Sequence, residues 1–142
     1  MLADVLTEID SVIISTGLHI TVDETALREG SLSHASKAKF EDSFVTSISS
    51  HRPVEEFNLH EEWHNFTLDL EVGGTISRDG RKSAVASLLS KMVEVLEALV
   101  RHSNFSQIKG VQLNEDTTFS FLDGNRIVAH TSFIVYYYWR TT

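Results

Sequence analysis

Apolar residues recur at spacings of three and four through one long run, Arg81 to Arg101, where Val85, Leu88, Leu89, Met92, Val95, Leu96, Leu99 and Val100 form one broad stripe. Ser87, Ser90, Lys91, Glu94 and Glu97 fall mostly on the other side, so the pattern predicts an amphipathic helix that needs a surface to cover. Asp79 stands where an N-cap would, and Arg101 with His102 supplies the cationic last turn that the helix dipole favours. A second, shorter stripe, Leu2, Val5, Leu6, Ile9, Val12 and Ile13, predicts an N-terminal helix that stops near Gly17.

Between and beyond these helices the period changes to two. Leu18, Ile20 and Val22 suggest a short strand, and Phe44 to Ser50 a further one that His51-Arg52-Pro53 is expected to interrupt, because proline cannot donate to a ladder. Phe66, Leu68, Leu70 and Val72 alternate with Thr67, Asp69 and Glu71, the pattern of an antiparallel strand with one face on a core, and Gly73-Gly74 is expected to end it. Ile108–Leu113 and Thr117–Leu122 read as two short strands split by Asn114-Glu115-Asp116. Asp123-Gly124 marks a tight turn into a long return strand, Arg126 to Trp139. That strand turns apolar on both faces from Phe133 onward, so it is expected inside the sheet or under another subunit, since a bare edge of this kind templates aggregation.

The stretch 23–42 has neither period. It is polar and serine-rich, with only Leu27, Leu32 and Phe40 as sizeable apolar groups, and reads as a long excursion, either a surface loop or a segment ordered by a partner. The expected fold is therefore α+β: a mostly antiparallel sheet, one long helix packed across it, a short N-terminal helix, and a single domain over residues 1–142.

Composition narrows the chemistry. Without cysteine there are neither disulfides nor thiolate metal sites, and no apolar run approaches the ~20 residues that span a bilayer, so a soluble, cytoplasmic product with no membrane partner is expected. Twenty acidic against twelve basic residues give a formal charge of -8, which disfavours direct grip on a phosphate backbone.

His60-Glu61-Glu62-Trp63-His64 matches H-E-x-x-H literally. In a zinc peptidase a helix brings both imidazoles to one face and the glutamate activates the metal-bound water. Here the run passes directly into a strand pattern, where His60 and His64 stand about 13 Å apart at roughly 3.3 Å per residue, so a zinc-dependent hydrolase built on His60, Glu61 and His64 is the weaker reading and no metal or cofactor is expected. Neither a nucleophile elbow nor a phosphate loop frames the serines and glycines. Tyr136-Tyr137-Tyr138-Trp139 suits packing or subunit contact better than base stacking, given the acidic balance around it.

The order of elements, together with NFTLDLEV at Asn65 to Val72, the helix Arg81 to Val100 and IVAHTSFIVYYYW at Ile127 to Trp139, resembles the tail terminator family of long-tailed bacteriophages. Related neck and head-completion proteins share the general plan. The resemblance implies a structural virion protein rather than an enzyme: a ring homo-oligomer, a hexamer, assembled in the host cytoplasm at the head-proximal end of the tail. Such a ring caps the tail tube, stops its polymerisation and meets a head-tail connector or neck protein, with DNA only passing through the lumen. Interface candidates on this reading are Leu27, Leu32, Lys37, Lys39 and Phe40 in the excursion and Tyr136, Tyr138 and Trp139 in the closing strand. An adaptor whose sheet edge binds a peptide is a third class.

Overall fold

The computed structural model describes residues 2–35, 39–56, 61–102 and 108–140. In chain order the elements are α1 (Leu2–Ser15), β1 (His19–Ile20), α2 (Glu24–Glu29), a 3-10 turn (Leu32–His34), β2 (Ser43–Glu56), β3 (Glu61–Thr75), α3 (Gly80–Arg101), β4 (Ile108–Leu122) and β5 (Arg126–Arg140). The strands form one sheet in the order β1-β2-β3-β5-β4, antiparallel except for the short parallel pairing of β1 with β2. The chain is α+β, and the aromatic strand β5 lies inside the sheet between β3 and β4. Among the described residues no helix is long and apolar enough to cross a membrane.

Strand alternation sends Phe66, Leu68, Leu70 and Val72 of β3, with Ile127, Ala129, Phe133 and Val135 of β5, to one face, where both α1 and α3 cover them. From α3 the buried seam is Leu88, Met92, Val95 and Leu99, whereas Leu89 and Val100, part of the predicted stripe, are exposed. A helix lying on a sheet buries only the arc that faces it, and the stripe is wider than that arc. Gly17, at φ 101°, stops α1 as expected. Asp79 holds the N-cap position of α3 as expected, but its side chain makes no capping bond, and its N–H donates to the Ser77 hydroxyl.

Three strand boundaries differ from expectation. β2 runs through Pro53, which pairs with His64. The flank of β2 away from β3 is joined by β1 only at Ser43 and Phe44, so at Pro53 the strand is an edge, where sheets tolerate proline. β3 runs through Gly73 and Gly74 to Thr75, opposite Val128, Ile127 and Arg126. β4 is continuous across Asn114-Glu115-Asp116, which is absorbed as register irregularities between Leu113 and Thr118. The hairpin loop holds three residues, with positive φ at Gly124 and Asn125 rather than at Asp123.

The excursion is also more structured than its composition suggests. The Asp23 carboxylate caps α2 by accepting from the Ala26 N–H (3.0 Å), Gly30 ends it, and Ser31 caps the 3-10 turn. Ala26, Leu32, Ala35 and Phe40 then pack with Val45 and Val128 into a second buried cluster on the opposite face of the sheet. Glu71 fastens it, its Oε1 accepting from the Ser31 hydroxyl (3.1 Å) and the Leu32 N–H (3.0 Å). Arg126 donates to the Ala35 carbonyl and lies over the Phe40 ring. Gly73 permits the crossing: a Cβ there would stand 2.5 Å from the Phe40 carbonyl oxygen, so this glycine serves close approach rather than strand termination.

Candidate functional site

The histidine motif divides on the fold. His60 lies outside the described residues; Glu61 and His64 both lie on β3, opposite Arg140 and Tyr137 of β5. An extended backbone here removes the helical geometry that an H-E-x-x-H zinc site requires. His64 shares the helix-covered side of the sheet with Phe66 and is 5% exposed.

Its partner comes from the segment read as an interruption. The irregularity between Ile48 and Ser50 shifts the parity of β2, so that His51 falls opposite Phe66. His51 Nε2 then lies 2.8 Å from the Tyr137 hydroxyl and 3.2 Å from His64 Nδ1, and the two imidazoles stack with centroids 5.0 Å apart. Tyr137 also meets Phe66 at 5.6 Å between centroids, and burial pushes its hydroxyl to a higher pKa than an ordinary tyrosine. The three polar side chains tie β2, β3 and β5 together at the end of the sheet remote from α2. The three rings form one hydrogen-bonded cluster. Among the described residues no group of three or more His, Asp or Glu is placed to hold a metal ion.

The other face carries a polar stripe. Asp69 and His130 approach to 3.7 Å, both partly exposed, and Ser132 sits opposite Asp69 in the ladder. These are the residue types of a hydrolytic triad, but the Ser132 hydroxyl is 1% exposed and accepts from the Asn114 amide (3.1 Å), so it does not face outward as a nucleophile. Ser50 and Thr67 hydrogen-bond beside it (2.8 Å). Apart from the buried Ser132, the stripe reads as a hydrogen-bonded, partly exposed sheet surface.

The interface candidates separate in the same way. Leu32 and Phe40 are 0% and 2% exposed inside the second cluster, so their side chains are not surface. Leu27 is half-exposed on α2, Lys39 is exposed, and Tyr136 is partly exposed on the face away from the helices. Lys37 lies outside the described residues, as do the side chains of Tyr138 and Trp139, whose backbones pair with Trp63 and Glu62. Sequence reasoning missed His51, Tyr137, Asp69 and His130 as neighbours. The signal that joins them is cross-strand register, which local spacing does not contain.

No protein-family model matches the chain, and no curated protein matches it.

Proposed function

We propose that the chain is a structural, ring-forming virion component that acts as a tail terminator: it caps the tail tube of a long-tailed bacteriophage, halts tube growth and joins the tail to the head connector. One observation carries the reading. The succession that underlies the resemblance, an N-terminal helix, a polar excursion, a strand pair, one long helix and a hairpin closing on an aromatic strand, is the element order of the fold. A net charge of -8 suits a lumen through which DNA passes without adhering.

The test is the mass of the purified chain across a concentration series, by light scattering behind size exclusion, with negative-stain images of the heaviest species. A hexameric ring that shortens tubes when added to polymerising tail-tube protein is the expected result. A chain that stays monomeric at every concentration and leaves tube length unchanged overturns the reading.

A further inference from the structure

Two histidines and a tyrosine meet on the helix-covered side of the sheet, each carried by a different strand. His64 of β3 pairs directly with Tyr137 of β5, and His51 of β2, opposite Phe66, is the diagonal neighbour of His64. Strand register therefore fixes all three, and side chains held by a sheet are placed more firmly than those on loops.

One atom joins them. His51 Nε2 stands 2.8 Å from the Tyr137 hydroxyl and 3.2 Å from His64 Nδ1. These two nitrogens are closer than the ring centroids, which are 5.0 Å apart, so both imidazoles turn a nitrogen edge inward. An imidazole nitrogen offers either one proton or one lone pair. With a proton, Nε2 divides one donation between two acceptors; with a lone pair, it receives two donors at one site. Hydrogen bonding thus serves one contact fully and the other in part.

A metal ion would serve both contacts through lone pairs. Ligand atoms held at the usual zinc distance lie about 2.9 Å apart at a right angle and about 3.3 Å apart at the tetrahedral angle. The two observed separations match that range to within about 0.1 Å. The third donor is a phenol oxygen, since among the described residues no further His, Asp or Glu joins the pair to make three. His64 and Tyr137 are 5% and 1% exposed, with the Phe66 ring packed against that of Tyr137, so one side of the cluster is sheltered from water. His51 is exposed and leaves a path of entry from solvent.

We propose that His51 Nε2 and His64 Nδ1, with the Tyr137 oxygen as third ligand, bind a divalent late first-row metal ion, Zn2+ or Cu2+. Two imidazoles select these ions over Mg2+ and Ca2+, which take oxygen ligands, and Cu2+ binds more tightly than Zn2+ by the general order of divalent affinities. The bound ion crosslinks β2, β3 and β5, and so stabilises the folded chain. Of the H-E-x-x-H residues His64 alone takes part, with partners that come from other strands.

The test titrates the full chain, first treated with a chelator, with Zn2+ and with Cu2+ by calorimetry, and follows the melting temperature. One equivalent is expected to bind and to raise the melting temperature, and binding is expected to weaken on acidification, because imidazole ligates only when neutral. His51→Ala, at an exposed position, is expected to keep the fold and to lower affinity by more than the roughly 10- to 100-fold that loss of an outer-shell partner costs. His64→Gln is expected to do the same. Tyr137→Phe keeps the ring and is expected to weaken binding less, while abolishing the visible phenolate-to-copper absorption of the Cu2+ form. His60→Ala is expected to bind as the unmodified chain does. Circular dichroism of the metal-free chains checks folding, and should a buried-site variant unfold, His51→Ala and His60→Ala decide. The assignment is overturned if neither ion binds, if His51→Ala binds as tightly as the unmodified chain, or if His60→Ala loses binding that His51→Ala retains.

Discussion

The two faces of the sheet are built on different scales. On one, α1 and α3 cover four strands with a continuous apolar layer, including Phe66, Leu70 and Phe133 at 1% exposure or less. On the other, a six-residue helix and a 3-10 turn cover one end only, through a small cluster fastened by Glu71 and Arg126. The first face is what makes the fold cooperative. The second is a strap laid over a finished sheet, and its opening free energy belongs at the low end of the molecule's range.

Breaking each face separates them. Phe133→Ala, in the main layer, is expected to cost about 3 to 5 kcal/mol and to lower the melting transition of the whole chain, read by calorimetry. Phe40→Ala, in the strap, is expected to release residues 23–35 and 39–42 to fast hydrogen exchange while α1, α3 and β5 keep their protection; a uniform loss of protection would show the two faces to be one unit. Gly73→Ala is expected to mimic it at about 1 to 3 kcal/mol, because the added Cβ meets the Phe40 carbonyl, which is backbone and cannot swing aside. Glu71→Ala, which leaves the Leu32 N–H and Ser31 hydroxyl without this acceptor, is expected to cost about 1 to 2 kcal/mol, confined to the same segment.

The smallest effect lies under the helical layer. Burial raises the Asp10 carboxyl above the usual carboxylate range, and the hydrogen bond from Thr46 (3.2 Å) brings it partly back. A raised carboxyl destabilises the fold while ionised, and the cost is relieved as pH falls through its folded pKa. Asp10→Asn is therefore expected to stabilise the chain at neutral pH by about half a kcal/mol or less, since a half-exposed carboxyl is screened by water, and to show no advantage at acid pH. Melting temperatures of both chains across that pH range check the sign.

Legibility from the sequence follows the same contrast. The helical stripes, the alternation in β3 and the internal place of β5 were readable because each is a long periodic run whose cause is local. Pro53, Gly73 and Asn114-Glu115-Asp116 misled because long pairing partners carry a strand past residues that would end it alone. The strap was unreadable for a related reason. Ala26, Leu32, Ala35 and Phe40 follow no period, and what covers them, Val45 and Val128, lies on strands elsewhere in the chain. The pairing of His51 with His64 and Tyr137 rests on one bulge near Ser49, which leaves no local trace.

The bond from Arg126 to the Ala35 carbonyl spans 91 positions of the chain. During synthesis the strap emerges early, yet Glu71 and then Arg126 and Val128 must appear before it has a surface to close on. Loop-closure entropy places so distant a contact late in folding. Residues 23–42 thus wait, polar and serine-rich, while the hydrophobic layer condenses behind them, and the composition that hid their structure from sequence reading keeps the nascent chain soluble in the interval.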